Sequence, residues 1–189
     1  MIFGRKNDIM NTSKREEDEI MTKNNYVVRA QKFVRSFAPY IDKRVTIRSM
    51  ISAVNTFNAD YNRKVRLNYG ASRVVFLTSD YCIKIDRTDS GGFWGNCEKE
   101  YKAYLRMKRL KCREVFCPIE KYTYNNVNYY IMPMCSKTND YNVELCDVNN
   151  RLTANQVRFI EKHFRDRHCG NIGVLHGKPV IIDYACNKF

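Results

Sequence analysis

No two of the eight cysteines stand two residues apart in the sense of a Cys-x-x-Cys, so the sequence carries neither a zinc knuckle nor a redox dithiol. The first 81 residues contain no cysteine, and the eight that follow are scattered between 82 and 186, which reads as reduced thiols rather than a disulfide framework. No apolar run approaches the length that crosses a bilayer, and no signal peptide with an apolar stretch is present. A soluble, cytoplasmic protein without a membrane partner is therefore expected. Proline and glycine are scarce, 4 and 8 among 189 residues, which excludes collagen-like and low-complexity chains. The three histidines, 163, 168 and 176, have no helical zinc spacing. Acidic residues are outnumbered, 20 Asp+Glu against 33 Lys+Arg, and a formal net charge of +13 predicts attraction to something anionic. With 44% apolar side chains, the chain has material for one domain with a substantial core.

Residues 1–25 are polar and mixed in charge, without a sustained apolar period, and read as a mobile tail. Helical spacing of Val27, Ala30, Val34, Phe37 and Ala38, then of Ile47, Met50, Ile51 and Val54, predicts two helices in an extension spanning 26–61, packed on the main body. From about residue 62 the pattern turns to short β-type runs at 65–70, 72–78 and 80–86, followed by a glycine-rich break at Ser90, Gly91 and Gly92. Glu98–Arg113 has helix-forming composition, and 115–124 and 127–134 read as two strands around an Asn-Asn turn. Five antiparallel strands with one inserted helix are expected, in an α+β class. The stretch 135–150 reads as a polar connector. Thr153 with Gln156 signals the start of a helix with Val157, Ile160 and Phe164 on its apolar face, and 171–175 with 178–183 form a hairpin hinged at His176 and Gly177.

Three places carry chemistry. The first is the small-residue turn at Gly70, Ala71 and Ser72 followed by Lys84, whose flanking Ile83 and Ile85 point to the opposite face of their strand. An exposed Lys on a half-solvated strand is the plain alternative. The second is Glu100, which a helical wheel places inward among Ala103, Tyr104, Met107 and Leu110, with Glu98 at the far edge beyond Leu105. A buried acid needs a cation, and Lys84 is the candidate; otherwise Tyr101 and Leu105 define the buried stripe. The third is the run 164–185, where Asp166, Asn171 and Asp183 appear in order, the last closing the apolar strand 180–182. Oxygen ligands of this kind suit Mg²⁺ held between protein and substrate phosphates, with a turn-capping role for Asp183 as the sober alternative.

In this order the parts resemble the protein-kinase-like fold. Asn68-Tyr69-Gly70-Ala71-Ser72-Arg73 is similar to the glycine-rich loop, keeping the middle glycine and carrying Asn68 and Arg73 at the outer positions; Tyr81-Cys82-Ile83-Lys84 is similar to its lysine strand. Phe164-Arg165-Asp166 through Asn171 resembles the catalytic loop with Phe164 in place of histidine, and Asp183-Tyr184-Ala185 stands at the metal-binding Asp. His168 gives the D-x-H-x-x-N form of aminoglycoside- and choline-kinase-like enzymes and of small kinase-like proteins of bacteriophages, and the likeness is greatest to that last group, over about two thirds of the chain. The resemblance implies a kinase-like N-lobe at 62–134 and a strongly truncated, helical C-lobe with a β-hairpin at 135–189. Only six residues follow Asp183, so no activation segment or peptide-binding helices are expected.

The resemblance implies an ATP- and Mg²⁺-dependent phosphotransferase, a minimal Ser/Thr-type kinase acting on a protein or small-molecule hydroxyl, in the host cytoplasm if viral. Lys84, oriented by Glu100, would grip the phosphates; Gly70, Ala71 and Ser72 would cover them. Asn171 and Asp183 would hold Mg²⁺, and Asp166 would align the acceptor and take its proton. Two other readings stay open. One is a pseudokinase that binds without turnover. The other is nucleic-acid contact, because residues 31–113 carry 18 Lys+Arg against 7 Asp+Glu, with Arg106, Lys108, Arg109, Lys111 and Arg113 clustered at one helix end.

Overall fold

The computed structural model describes residues 25–41, 44–62, 64–90, 95–137, 140–163 and 171–184. The expected tail up to residue 24, the glycines at 91 and 92, and the stretch 164–170 lie outside them. Helix α1 covers residues 25–37 and passes into a 3-10 turn at Ala38–Tyr40. Helix α2, Ile47–Tyr61, opens on a capping box in which the Thr46 side chain accepts from the Ser49 amide at 3.1 Å and Ser49 Oγ accepts from the Thr46 amide at 3.0 Å. It ends where Asn62 enters the left-handed region.

Strands β1 (Arg66–Tyr69), β2 (Arg73–Leu77), β3 (Tyr81–Asp86), β4 (Glu120–Tyr124) and β5 (Val127–Pro133) form one antiparallel sheet in the order β1-β2-β3-β5-β4. Strand alternation sorts its side chains. Val74, Phe76, Ile83, Ile85, Tyr129 and Ile131 face α1 and α2 and share one apolar core with Phe33, Phe37, Met50 and Phe57. The Phe37 ring lies 5.2 Å from that of Phe57 and 4.8 Å from that of Phe76, joining both helices to the sheet. Burial of each such ring contributes about 1.5–3 kcal/mol. The opposite face carries Arg73, Val75, Leu77, Cys82, Lys84 and Met132.

Helix α3, Asn96–Arg109, is inserted between β3 and β4 and packs Ala103, Tyr104 and Met107 into a second core. It stops four residues earlier than its composition predicts. Lys111 turns left-handed (φ 56°), and the Cys112 amide bonds back to the Met107 carbonyl at 3.2 Å, a Schellman closure made without glycine and so without a stop signal. The strand expected from residue 115 begins only at Glu120. Pro118 has no amide hydrogen for a ladder, and 113–115 form a 3-10 turn instead. The Asn125-Asn126 turn has φ of 49° and 61° at its two residues, the left-handed pair a tight hairpin requires.

The stretch expected to be a polar connector is structured. It holds β6 (Ser136–Lys137) and helix α4 (Tyr141–Asn150), whose first turn is capped by Asp140 accepting from the amides of Asn142 and Val143 at 3.0 and 3.3 Å. Among the described side chains of α4 only Val148 is fully buried, with Leu145 packed partly beside it, too little to give the sequence a helical period. Helix α5 (Ala154–His163) starts at the predicted Thr153–Gln156 box. Strands β7 (Ile172–Leu175) and β8 (Lys178–Ile181) form the predicted hairpin over His176 and Gly177, both at positive φ, with β6 added on the β7 side. The hairpin joins the second core through the Cys117 amide on the Ile181 carbonyl at 2.8 Å and the Tyr184 hydroxyl on the Cys117 carbonyl at 2.8 Å. No helix among the described residues is long and apolar enough to cross a membrane.

Candidate active site

Strand β3 delivers Lys84 to the face away from the α1/α2 core, and α3 brings Glu100 to meet it. Lys84 Nζ donates to both carboxylate oxygens, at 2.8 and 2.9 Å, with Lys84 7% exposed and Glu100 fully buried. The half-solvated Lys and the solvated-edge Glu are thereby excluded. Leu105 and Leu110 are exposed, so the buried stripe of α3 is the one centred on Glu100, ending at Met107 one turn short of the Leu110 expected on it. Burial alone would lower the Lys84 pKa, but the Glu100 carboxylate outweighs it and holds the ammonium above its ordinary 10.5. Asp86, two residues further along the same strand, accepts from the Cys97 amide at 2.9 Å and caps the start of α3. One strand therefore carries the lysine and anchors the helix that carries its partner. Glu98 points elsewhere: it accepts from Lys121 at 2.8 Å and from the Tyr130 hydroxyl at 2.6 Å, tying α3 to the far edge of the sheet.

The hairpin supplies the other wall. Asn171 immediately precedes β7 and its carbonyl accepts from the Ile182 amide at 2.9 Å, so Asn171 and Asp183 sit at the same end of the hairpin. Lys84 Nζ also donates to the Ile182 carbonyl at 3.2 Å, bridging sheet and hairpin. A cavity of about 410 Å³ lies between them. Its walls include Val75, Leu77 and Met132 of the sheet, the turn Gly70-Ala71-Ser72, and Lys84, Ile182 and Asp183. Asn171 is buried and is not part of the cavity wall. Asp166, with Arg165 and His168, lies outside the described residues.

Arg73 is the residue that sequence reasoning missed. It reads as a mere departure at the outer position of the loop, yet it stands in the site: Nη1 donates to Glu100 Oε2 at 3.0 Å, Nη2 is ion-paired with Asp183 Oδ2, and the side chain is 15% exposed. Burial opposes its charge, but Glu100 and Asp183 more than offset that and raise its pKa above the ordinary arginine value. The signal was available in the alternation of β2. Val74 and Phe76 are apolar and inward, which assigns Arg73 to the face that carries Lys84, whose strand partner is Val75.

The loop itself is closed by its own hydrogen bonds. The Gly70 amide donates to the Arg73 carbonyl at 3.0 Å, so it is not aimed at a phosphate, and Arg87 Nη1 holds the Gly70 and Ala71 carbonyls at 2.7 and 3.2 Å. Gly70 has open space around its missing Cβ. Gly173 on β7 does not: a Cβ there would meet the Cys135 Cβ at 2.8 Å, and this close approach brings the hairpin under the cavity floor. Cys135 and Cys117 line that floor with their sulfurs 3.5 Å apart. Cys117 is pushed well up by burial, whereas Cys135 is lowered by its hydrogen bond with Cys117 and by the charge of Lys84. All six cysteines among the described residues are free thiols.

The donor set is a poor match for Mg²⁺ as it stands. Asp183, the expected ligand, already has one oxygen on a guanidinium, and Asn171 is withdrawn from the cavity wall. Among the described residues no three His, Cys, Asp or Glu converge to hold a metal by themselves.

No family model matches the sequence, and no curated protein does. Among solved structures, the chain is similar to the streptomycin-ATP-APH(2")-IIa ternary complex, with 10% identity and a TM-score of 0.36 over 70% of this chain and 69% of that one.

Proposed function

We propose that the chain binds ATP in the cavity between the five-stranded sheet and the hairpin, as a kinase-like phosphotransferase acting on a protein or small-molecule hydroxyl. The observation that carries this reading is the buried Lys84–Glu100 pair, held at 2.8 Å on the rim of a nucleotide-sized cavity with Asp183 opposite. A buried ion pair is weak evidence for stability, since apolar residues of the same volume serve a fold as well. Its position beside the cavity gives it a use: a lysine fixed in direction and protonated at every physiological pH, presented to an anion. Phosphoryl transfer asks little more of a protein than such positioning and charge neutralisation.

The roles are those the resemblance implies, and the buried Lys84–Glu100 pair supports the first of them. Lys84 contacts the phosphates and Glu100 orients it; the turn at Gly70, Ala71 and Ser72 covers them; Asp166 aligns the acceptor hydroxyl and takes its proton. Asn171 and Asp183 are the Mg²⁺ ligands of the resemblance, but the guanidinium on Asp183 leaves them unfit in this conformation, and no step is assigned to the metal. If the chain is viral, as the likeness to the phage proteins implies, its site of action is the host cytoplasm.

A second reading, a pseudokinase that binds nucleotide or a partner without turnover, is favoured by the Arg73–Asp183 ion pair. Incubation with γ-labelled ATP and Mg²⁺, wild type beside Asp183→Ala and Lys84→Met, separates the two. The enzyme reading expects label on the protein, on a generic basic protein or on a lysate component, lost in both variants. Nucleotide-dependent thermal stabilisation with no label transferred to any acceptor would establish the pseudokinase.

A further inference from the structure

We infer that Arg73 takes the place of a divalent cation in this cleft, so that ATP binds through its phosphates to Arg73 and Lys84 without Mg²⁺. The inference rests on the reading of the cavity as a nucleotide site and deepens it by naming the ionic form of the ligand.

Four charged side chains meet beside the cavity, with Arg73, Lys84 and Asp183 in its wall and Glu100 buried behind them, and their arrangement is asymmetric. Glu100 is fully buried and accepts from both cations, Lys84 at 2.8 Å and Arg73 at 3.0 Å. It has no route to water and stays where it is. Asp183 holds the outer end of the Arg73 fork, and its side chain is one-third exposed. An anion entering the cavity can therefore displace Asp183 from the guanidinium, releasing the carboxylate to solvent, without disturbing the Glu100 anchor. After that exchange the fixed group of Lys84, Arg73 and Glu100 has a net charge of +1 and presents a planar fork of donors, the geometry that suits a phosphate.

A dication fits less well. At Asp183 it competes with the guanidinium for the carboxylate, and a guanidinium displaced from there keeps its Glu100 contact inside a largely buried site. It would also bring two positive charges beside two that are already there, Arg73 and Lys84. Metal-complexed ATP carries less negative charge into the cleft than free ATP and so gains less from this pair. The position of Arg73 in the chain supports the same conclusion. It occupies the place of the third glycine of the loop pattern, where a residue without a side chain would leave the carboxylates of Asp183 and Glu100 facing the cavity and one cation short.

The test is titration of ATP into the full chain by calorimetry, in EDTA and in Mg²⁺, with Arg73→Gly and Asp183→Asn beside wild type and circular dichroism confirming that each is folded. Wild type is expected to bind in EDTA at least as tightly as in Mg²⁺. Arg73→Gly loses a charge-assisted contact, so its affinity in EDTA falls about tenfold or more and Mg²⁺ restores part of the loss. Asp183→Asn frees the guanidinium without removing it and binds more tightly in EDTA than wild type, an outcome that no loss of folding can imitate. Wild-type binding that requires Mg²⁺, or Asp183→Asn binding more weakly in EDTA, would overturn the inference and leave the nucleotide site standing. Absence of ATP binding under both conditions would remove the nucleotide site and the inference with it.

Discussion

Replacing Glu100 by Gln tests the central ion pair by leaving its shape and removing its charge. Two cations depend on that carboxylate, Lys84 through both oxygens and Arg73 through one, and Glu100 itself has no exposed surface. Removing one member of a buried pair costs about 3–5 kcal/mol, and at about 2–4 °C per kcal/mol for a chain of this size the Tm falls by roughly 6–20 °C. The loss depends on pH with a defined sign. In wild type, Lys84 is held above 10.5, so the stability it contributes is complete below that value and lost as pH rises through its folded pKa. In the variant, burial acts on the ammonium with the directly bonded carboxylate gone and only the weaker pull of Asp183 left, so the Lys84 pKa falls and the deficit narrows as pH climbs toward 10.5. Lys84→Met is expected to cost less, about 1–3 kcal/mol, because Arg73 still neutralises Glu100. The assay is differential scanning calorimetry of the three proteins between pH 6 and pH 10. A Glu100→Gln protein melting within about 1 °C of wild type would refute the buried pair, and a Lys84→Met protein less stable than Glu100→Gln would refute the sharing of Glu100 between two cations.

The cavity floor and the helix cap give two further tests. Iodoacetamide is expected to modify Cys135 before Cys117 or Cys82, because Cys135 is held below the ordinary thiol range while burial raises Cys117 and pushes Cys82 up to about 11. Saturating ATP is expected to slow that reaction; peptide-resolved mass spectrometry showing the reverse order, or a Cys135 rate indifferent to ATP, contradicts the placement of the nucleotide above this floor. Asp86→Ala removes the carboxylate that caps α3 and is expected to lower stability by about 1 kcal/mol, and with it ATP affinity, since the cap sets where Glu100 lies. An unchanged Tm together with unchanged affinity would show that α3 is positioned by packing alone.

The basic end of α3 shows a feature that composition raises and cannot resolve. Arg106, Lys108 and Arg109 lie in the last helical turn, where cations complement the carbonyl end of the helix, and the Arg106 guanidinium stacks 5.6 Å over the Phe159 ring of α5. Part of the charge run thus has a structural occupation within the chain, which the sequence has no means of displaying.

Local rules made much of the molecule legible from residue types. The helices at 25–37 and Ile47–Tyr61, the five strands, both left-handed two-residue turns and the Thr153–Gln156 cap follow from apolar period and from residues whose side chains act on their own backbone neighbours. The inward direction of Glu100 was legible for the same reason, because a helix fixes the angle between successive side chains. Helix α4 was not, since Asp140 supplies its start while, among its described side chains, Val148 and the partly buried Leu145 supply its packing, and so faint an apolar period looks like loop. The α3 stop was hidden too, set by Lys111 in a conformation usually left to glycine.

What residue order alone determined about this protein is which side chains could be charged, buried or paired within one element. Which charge meets which across 27 and 110 residues of chain was decided only by the tertiary structure. Arg73 looks like an error in a loop until β2 lies beside β3 and the hairpin closes from below; then it stands between Glu100 and Asp183. The physical reason is that Coulomb attraction and burial depend on distance through space, and a sequence specifies distance only along the chain.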